Sequence, residues 1–132
     1  MVAPPIFGLF DGDPDGLEIC RCYQAGCPDA MQDARCNLLE MHWLGVDICE
    51  HLCEAKMMNR GVPLSGRDRN RARSMLARRD LNRLDCQSAR MKRMLQSMLM
   101  LNVKIEIQAI DQAADRGLSG WLEDKMASQG VS

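Results

Sequence analysis

Residues 77–109, ARRDLNRLDCQSARMKRMLQSMLMLNVKIEIQA, decide how this chain is expected to fold. Within them Ala77, Leu81, Leu84, Ser88, Met91, Leu95, Met98, Asn102, Ile105 and Ala109 fall at alternating steps of four and three. That is the spacing of a single helical stripe. Upstream, Ser65 is a suitable N-cap with Asp68 three residues on, and downstream Gly117 is a stop signal. The spacing therefore predicts one helix from about 67 to about 116, on the order of 75 Å long at ~1.5 Å per residue. One stretch competes with this reading. Val103, Ile105, Ile107 and Ala109 alternate with polar residues, as in a half-buried strand. The lack of a turn residue ahead of them favours helix, and strand stays open for 102–110.

Working outward, Met31, Ala34, Leu38, Met41, Gly45, Ile48, Leu52 and Ala55 repeat the same spacing. Pro28 suits a first helical turn, and Asp29 and Asp33 put negative charge at the positive end of the helix dipole. Gly61 and Pro63 close the segment. Residues 1–27 carry Pro4, Pro5, Pro14 and four glycines, and read as an extended acidic arm. After Ser119 a short helix carries Trp121, Leu122 and Met126. The expected fold is all-α: a long helical hairpin (28–60 and 67–116), an N-terminal arm (1–27), and a short C-terminal helix and tail (117–132).

Two helices of unequal length cannot cover each other's apolar faces. Ala34, Leu38, Met41, Ile48, Leu52, Leu81, Leu84, Met91, Leu95, Met98 and Ile105 are therefore expected to pack against other chains, with polar Ser88 and Asn102 setting register. This favours a non-enzymatic structural or assembly protein. It would be a coiled-coil homo-oligomer or a component of a larger protein complex, such as a virion or a secretion filament.

Composition supports an adaptable contact surface. Eleven methionines and seven cysteines stand against two Phe, one Tyr and two Trp. Methionine fills irregular gaps, and the shortage of rings counts against stacking sites for sugars or single-stranded nucleic acid. Met98 to Leu101 is the longest purely apolar run, too short for a membrane span. The first ten residues lack the basic start of a secretory signal. An odd number of cysteines then points to reduced thiols in the cytoplasm or an intracellular assembly.

Several constellations could carry chemistry. Asp11-Gly-Asp13-Pro-Asp15-Gly16 resembles the first half of an EF-hand-type calcium loop, with carboxylates at positions 1, 3 and 5 and glycine at 6. Position 12 is Cys22 instead of the bidentate Glu, so the alternative is an acidic turn. His42, Cys49 and Cys53 would share one helix face. With Cys86 they offer a Cys3His set for zinc, or thiolates for an iron–sulfur cluster; buried packing cysteines are the competing reading.

Charge is lopsided. Residues 1–55 hold ten acidic and two basic side chains, and residues 60–93 hold eleven basic and three acidic. Arg67, Arg69, Arg71, Arg73, Arg78, Arg79 and Arg83 suit an anion-binding, nucleic-acid alternative, or they pair with the acidic half of the chain. No phosphate loop, metalloprotease motif or nucleophile elbow is present, so no catalytic residue is assigned and the chain is not expected to be an enzyme.

Overall fold

Ile6 to Phe10 form a short run of bulky apolar and aromatic residues around Gly8, a composition suited to a strand. In the computed structural model, which describes residues 4–25, 41–51, 60–78 and 86–129, Phe7–Leu9 form strand β1 and His42–Gly45 form strand β2. The two pair in parallel, Phe7 opposite His42 and Gly8 opposite Trp43, with an irregularity before Leu9 meets Gly45. Two further bonds continue the pairing, Phe10 N–H to Gly45 O at 2.8 Å and Val46 N–H to Phe10 O at 2.6 Å. Parallel neighbours need a long connection, usually with a helix in it. Helix α1, Pro14–Ala25, lies in that connection. It turns Leu17, Cys20, Arg21 and Gln24 inward, the i, i+3, i+4, i+7 face of an amphipathic helix.

Beyond β2 come α2 (Ile48–His51), α3 (Gly66–Leu76), α4 (Cys86–Leu101), α5 (Ile107–Ala113) and α6 (Gly117–Ser128). Ser65 caps α3 in a complete capping box: its Oγ accepts from Asp68 N–H at 3.1 Å, and Asp68 Oδ2 accepts from Ser65 N–H at 2.9 Å. The core gathers Leu17, Trp43, Val46, Ile48, Met75, Met91, Met94, Leu95, Met98, Ile105 and Ile110 with their neighbours. Methionine serves here as interior packing between short elements, where its flexible side chain fills irregular gaps.

This is an α/β arrangement, and it corrects the all-α hairpin. The segment expected as helix 28–60 contains β2 and α2; residues 26–40 and 52–59 lie outside the described residues. Trp43, Leu44, Gly45 and Val46 are buried in succession, as in a strand covered on both faces, so the four-and-three spacing of Met41, Gly45 and Ile48 is coincidental there. The segment expected as an arm contains β1 and α1. The single helix over 67–116 is broken. α4 stops at Leu101 because Asn102 adopts φ 53°, a left-handed conformation that Asn tolerates better than most residues. Val103 N–H then reaches back to Met98 O at 3.2 Å, closing the helix end in a Schellman-type bond. Residues 103–106 run extended, with bridges Val62–Lys104 and Gly12–Ile105, and helix resumes at Ile107. Both readings of 102–110 thus hold for part of the stretch.

The expected intermolecular seam is also relocated. Met41, Ile48, Met91, Leu95, Met98 and Ile105 are buried within this chain, and Leu95 and Met98 are 0% exposed. Their faces are covered by elements of the same chain that helical spacing could not reveal. Ala34, Leu38, Leu52, Leu81 and Leu84 lie outside the described residues. No described helix is long and apolar enough to cross a membrane.

Candidate functional site at the end of the first strand

Where β1 ends, the chain turns through Asp11-Gly12-Asp13 and enters α1. Asp13 is the N-cap: its Oδ1 accepts from Gly16 N–H at 2.6 Å, and Pro14 occupies the first helical position, where its missing N–H costs nothing. Asp11 is held from the other side. Its Oδ1 accepts from Ile107 N–H at 2.7 Å, so the start of α5 fixes it. Between them Gly12 exchanges backbone bonds with Ile105 at 2.8 and 3.1 Å. A Cβ at Gly12 would come within 3.1 Å of Ile105 O and 3.2 Å of Val46 O, and one at Gly16 within 2.2 Å of Asp11 O. Only glycine permits this close approach of backbones.

The corner thus presents two rigid carboxylates, each with one oxygen hydrogen-bonded to a backbone N–H. The second oxygen of each takes no hydrogen bond from another described residue. Burial pushes the Asp13 carboxyl above its ordinary range. The Gly16 N–H opposes this, Asp11 and Asp15 push the same way as burial, and Lys104 opposes. A dication is the natural counter-charge to such a pair, and clefts at the carboxyl ends of parallel strands are the usual ligand positions in α/β folds. Asp15 faces elsewhere, with Arg71 Nε 3.4 Å from its Oδ1. Helix starts at Pro14, so the six residues do not build an EF-hand-type loop.

Basic side chains pair along α1, α3 and the turn that follows α3. Arg78 bonds both oxygens of Glu18 at 2.7 and 2.8 Å, and Arg21 reaches the same carboxylate at 2.8 Å. Burial would raise Glu18, but the hydrogen bonds from Arg21 and Arg78 outweigh it and hold the group down at about 2. Arg69 donates to Asn102 Oδ1 at 2.6 Å. Arg67 and Arg73 are exposed on α3 and have no side-chain partner among the described residues. Arg79 and Arg83 lie outside the described residues.

The Cys3His set falls only partly within the described residues. His42 sits on β2 and Cys49 on α2, so the helical spacing that would have put them on one face does not exist. Cys49 Sγ lies 3.5 Å from Ser97 Oγ. Cys53 and the side chain of Cys86 are outside the described residues. Among the described residues no group of three or more His, Cys, Asp or Glu is placed to hold a metal. Asp11 and Asp13 fit a different arrangement, because Mg2+ commonly takes one or two carboxylates and completes its shell with water and substrate phosphate.

The corner could have been anticipated from the sequence. Asp13-Pro14 directly after an apolar run is a helix-start signal, and it makes Asp11 to Asp15 a strand-to-helix turn instead of an arm. Comparison with known proteins covers nearly the whole chain. The family model for the Toprim domain of Spo11 and the topoisomerase 6 A-subunit matches residues 1–126. Two proteins named Meiotic recombination protein SPO11-1, from Oryza sativa subsp. indica and subsp. japonica, are each 29% identical over 131 residues, covering 96% of this chain and 32% of theirs. The chain therefore spans about a third of the length of these curated relatives. The match overturns the expectation of a non-enzymatic structural or assembly protein, and with it the coiled-coil and virion readings.

Proposed function

The chain belongs to the family of Spo11 and the topoisomerase 6 A-subunit, as its Toprim domain, and from that premise we propose that it works on DNA within an enzyme of topoisomerase type. Its own part is to hold a divalent cation, magnesium by size and charge, on Asp11 and Asp13 against a DNA phosphate. The observation that carries this reading is the rigid Asp11-Gly12-Asp13 corner, where two backbone N–H bonds aim two carboxylates without filling them. Carboxylates alone repel DNA, so a centre of this kind engages a phosphodiester only through a cation. Bound there, the cation would supply Lewis-acid charge to phosphate oxygens.

The chain's own residues do the positioning. Ile107 N–H orients Asp11, Gly16 N–H orients Asp13, and the glycines allow α1 and residues 103–107 to close around the corner. Arg67 and Arg73 offer charge for neighbouring phosphates. A role on DNA also favours the nucleus, as for a meiotic recombination protein, over a purely cytoplasmic assembly. Protein partners, a second copy of the chain among them, belong to the same proposal.

The test is cation-dependent DNA binding by the full chain. Fluorescence anisotropy with a short duplex should show tighter binding in Mg2+ than in EDTA. Asp13→Asn and Asp11→Asn should remove that difference and weaken Mn2+ binding by about tenfold or more. Unchanged Mn2+ affinity in both variants would rule out this corner as the cation site.

A further inference from the structure

We propose that Lys104 is a phosphate-contacting residue of the Asp11–Asp13 centre, its ammonium meeting the same DNA phosphate that the cation holds. This rests on the cation reading above. Lys104 is locked at the backbone, exchanging two 2.8 Å hydrogen bonds with Val62, while the next residue, Ile105, is bridged to Gly12 in the middle of the acidic corner. Its position relative to the corner is therefore set by ladder bonds, independent of side-chain packing.

The side chain runs to Asp68, with Nζ 2.8 Å from Oδ2. That same oxygen accepts the Ser65 N–H that closes the capping box of α3. The Asp68 hydrogen bond keeps the ammonium protonated against burial, and the charges of Asp68, Asp13 and Glu106 act in the same direction. Through the backbone exchange of Ile105 with Gly12, Lys104 stands one residue from the link between Asp11 and Asp13.

A purely structural role would end at Asp68. An ammonium has three N–H donors, and Asp68 takes one. The side chain is still 19% exposed, although Asp68 is only 9% exposed. A lysine that merely tied α3 to the extended segment could be covered as completely as Asp68, and this one is not. A phosphate arriving there meets the repulsion of Asp11, Asp13 and Asp15. Arg71 offsets Asp15 on the far side, and Lys104 supplies the matching charge on the near side, with two donors to spare for phosphate oxygens.

The experiment compares three variants of the full chain, using Mn2+ titration calorimetry and duplex-binding anisotropy in Mg2+. Lys104→Met should weaken Mg2+-dependent duplex binding about tenfold while leaving Mn2+ affinity within about threefold. Asp68→Asn breaks the same ion pair but keeps the ammonium, so it should retain duplex binding. Lys104→Gln keeps a hydrogen bond to Asp68 without the charge and should show the same loss as Lys104→Met, which decides the matter if the Met variant loses its helical circular dichroism. Equal losses in K104Q and D68N would make the pair merely structural and overturn the proposal, as would parental duplex binding by K104Q. A parent chain whose DNA binding ignores Mg2+ would overturn the cation reading itself, and Lys104's place in the centre with it.

Discussion

Gly16 shows how one residue couples the fold to the site. It stands in the first turn of α1, its N–H fixes Asp13, and the space a Cβ would need is taken by the carbonyl of Asp11. Gly16→Ala must therefore displace the backbone of one carboxylate residue to keep the cap on the other. Overpacking of this kind costs about 1–3 kcal/mol. Urea unfolding should show that loss, accompanied by weaker Mn2+ binding. A variant with parental stability and Mn2+ affinity would mean that the corner relaxes freely. The aspartates themselves stood out in the sequence, together with Asp15, as the first half of a calcium-type loop. Their geometry did not, because the EF-hand pattern counts positions along a loop, and Pro14 turns that loop into a helix start.

At the scale of the element, the ends of α4 explain why a long periodic run was not one helix. The four-and-three spacing through Met91, Leu95 and Met98 is real and describes α4 well. It carries no information on where the helix stops, since Asn102 fits the stripe as smoothly as a continuing residue would. Its positive φ breaks the helix and lets Lys104 and Ile105 turn back onto Val62 and Gly12. Asn102→Ala and Asn102→Gly both lose the bond from Arg69, but only alanine is strained at this φ. The alanine variant should be less stable than the glycine variant by about 1 kcal/mol, measured by urea unfolding. Equal stabilities would mean that the helix end can rebuild in a right-handed form. The Ser65–Asp68 capping box, by contrast, was legible from the sequence, because a cap is a local bond between residues three apart.

Over the whole molecule, the lopsided charge of the sequence becomes an internal joint. Acidic α1 meets the basic segment around α3 through Glu18 with Arg78 and Asp15 with Arg71. Glu18 is held down at about 2 in the folded chain, below its unfolded value of about 4.3. The sign is that of a depressed carboxyl: its contribution is complete above the unfolded value and is lost as pH falls toward 2. Chemical denaturation between pH 5 and pH 2 should therefore show a falling stability, and Glu18→Gln should lower stability at pH 7 by about 1–2 kcal/mol while flattening that fall. An unchanged acid slope in E18Q would assign the loss to other carboxylates.

The sequence alone determined the local features: the cap of α3, the helical character of α4, and the opposite charges of the two halves. Each is a relation between near neighbours or a matter of residue type, and both are carried by the chain itself. Only the tertiary structure decided that β1 pairs in parallel with β2, that the methionine stripe is covered from within, and that residues 103–107 close the acidic corner. Periodicity tells which face is apolar but never what covers it. The contacts that answer that question join residues tens of positions apart, such as Asp11 with Ile107 and Asp68 with Lys104.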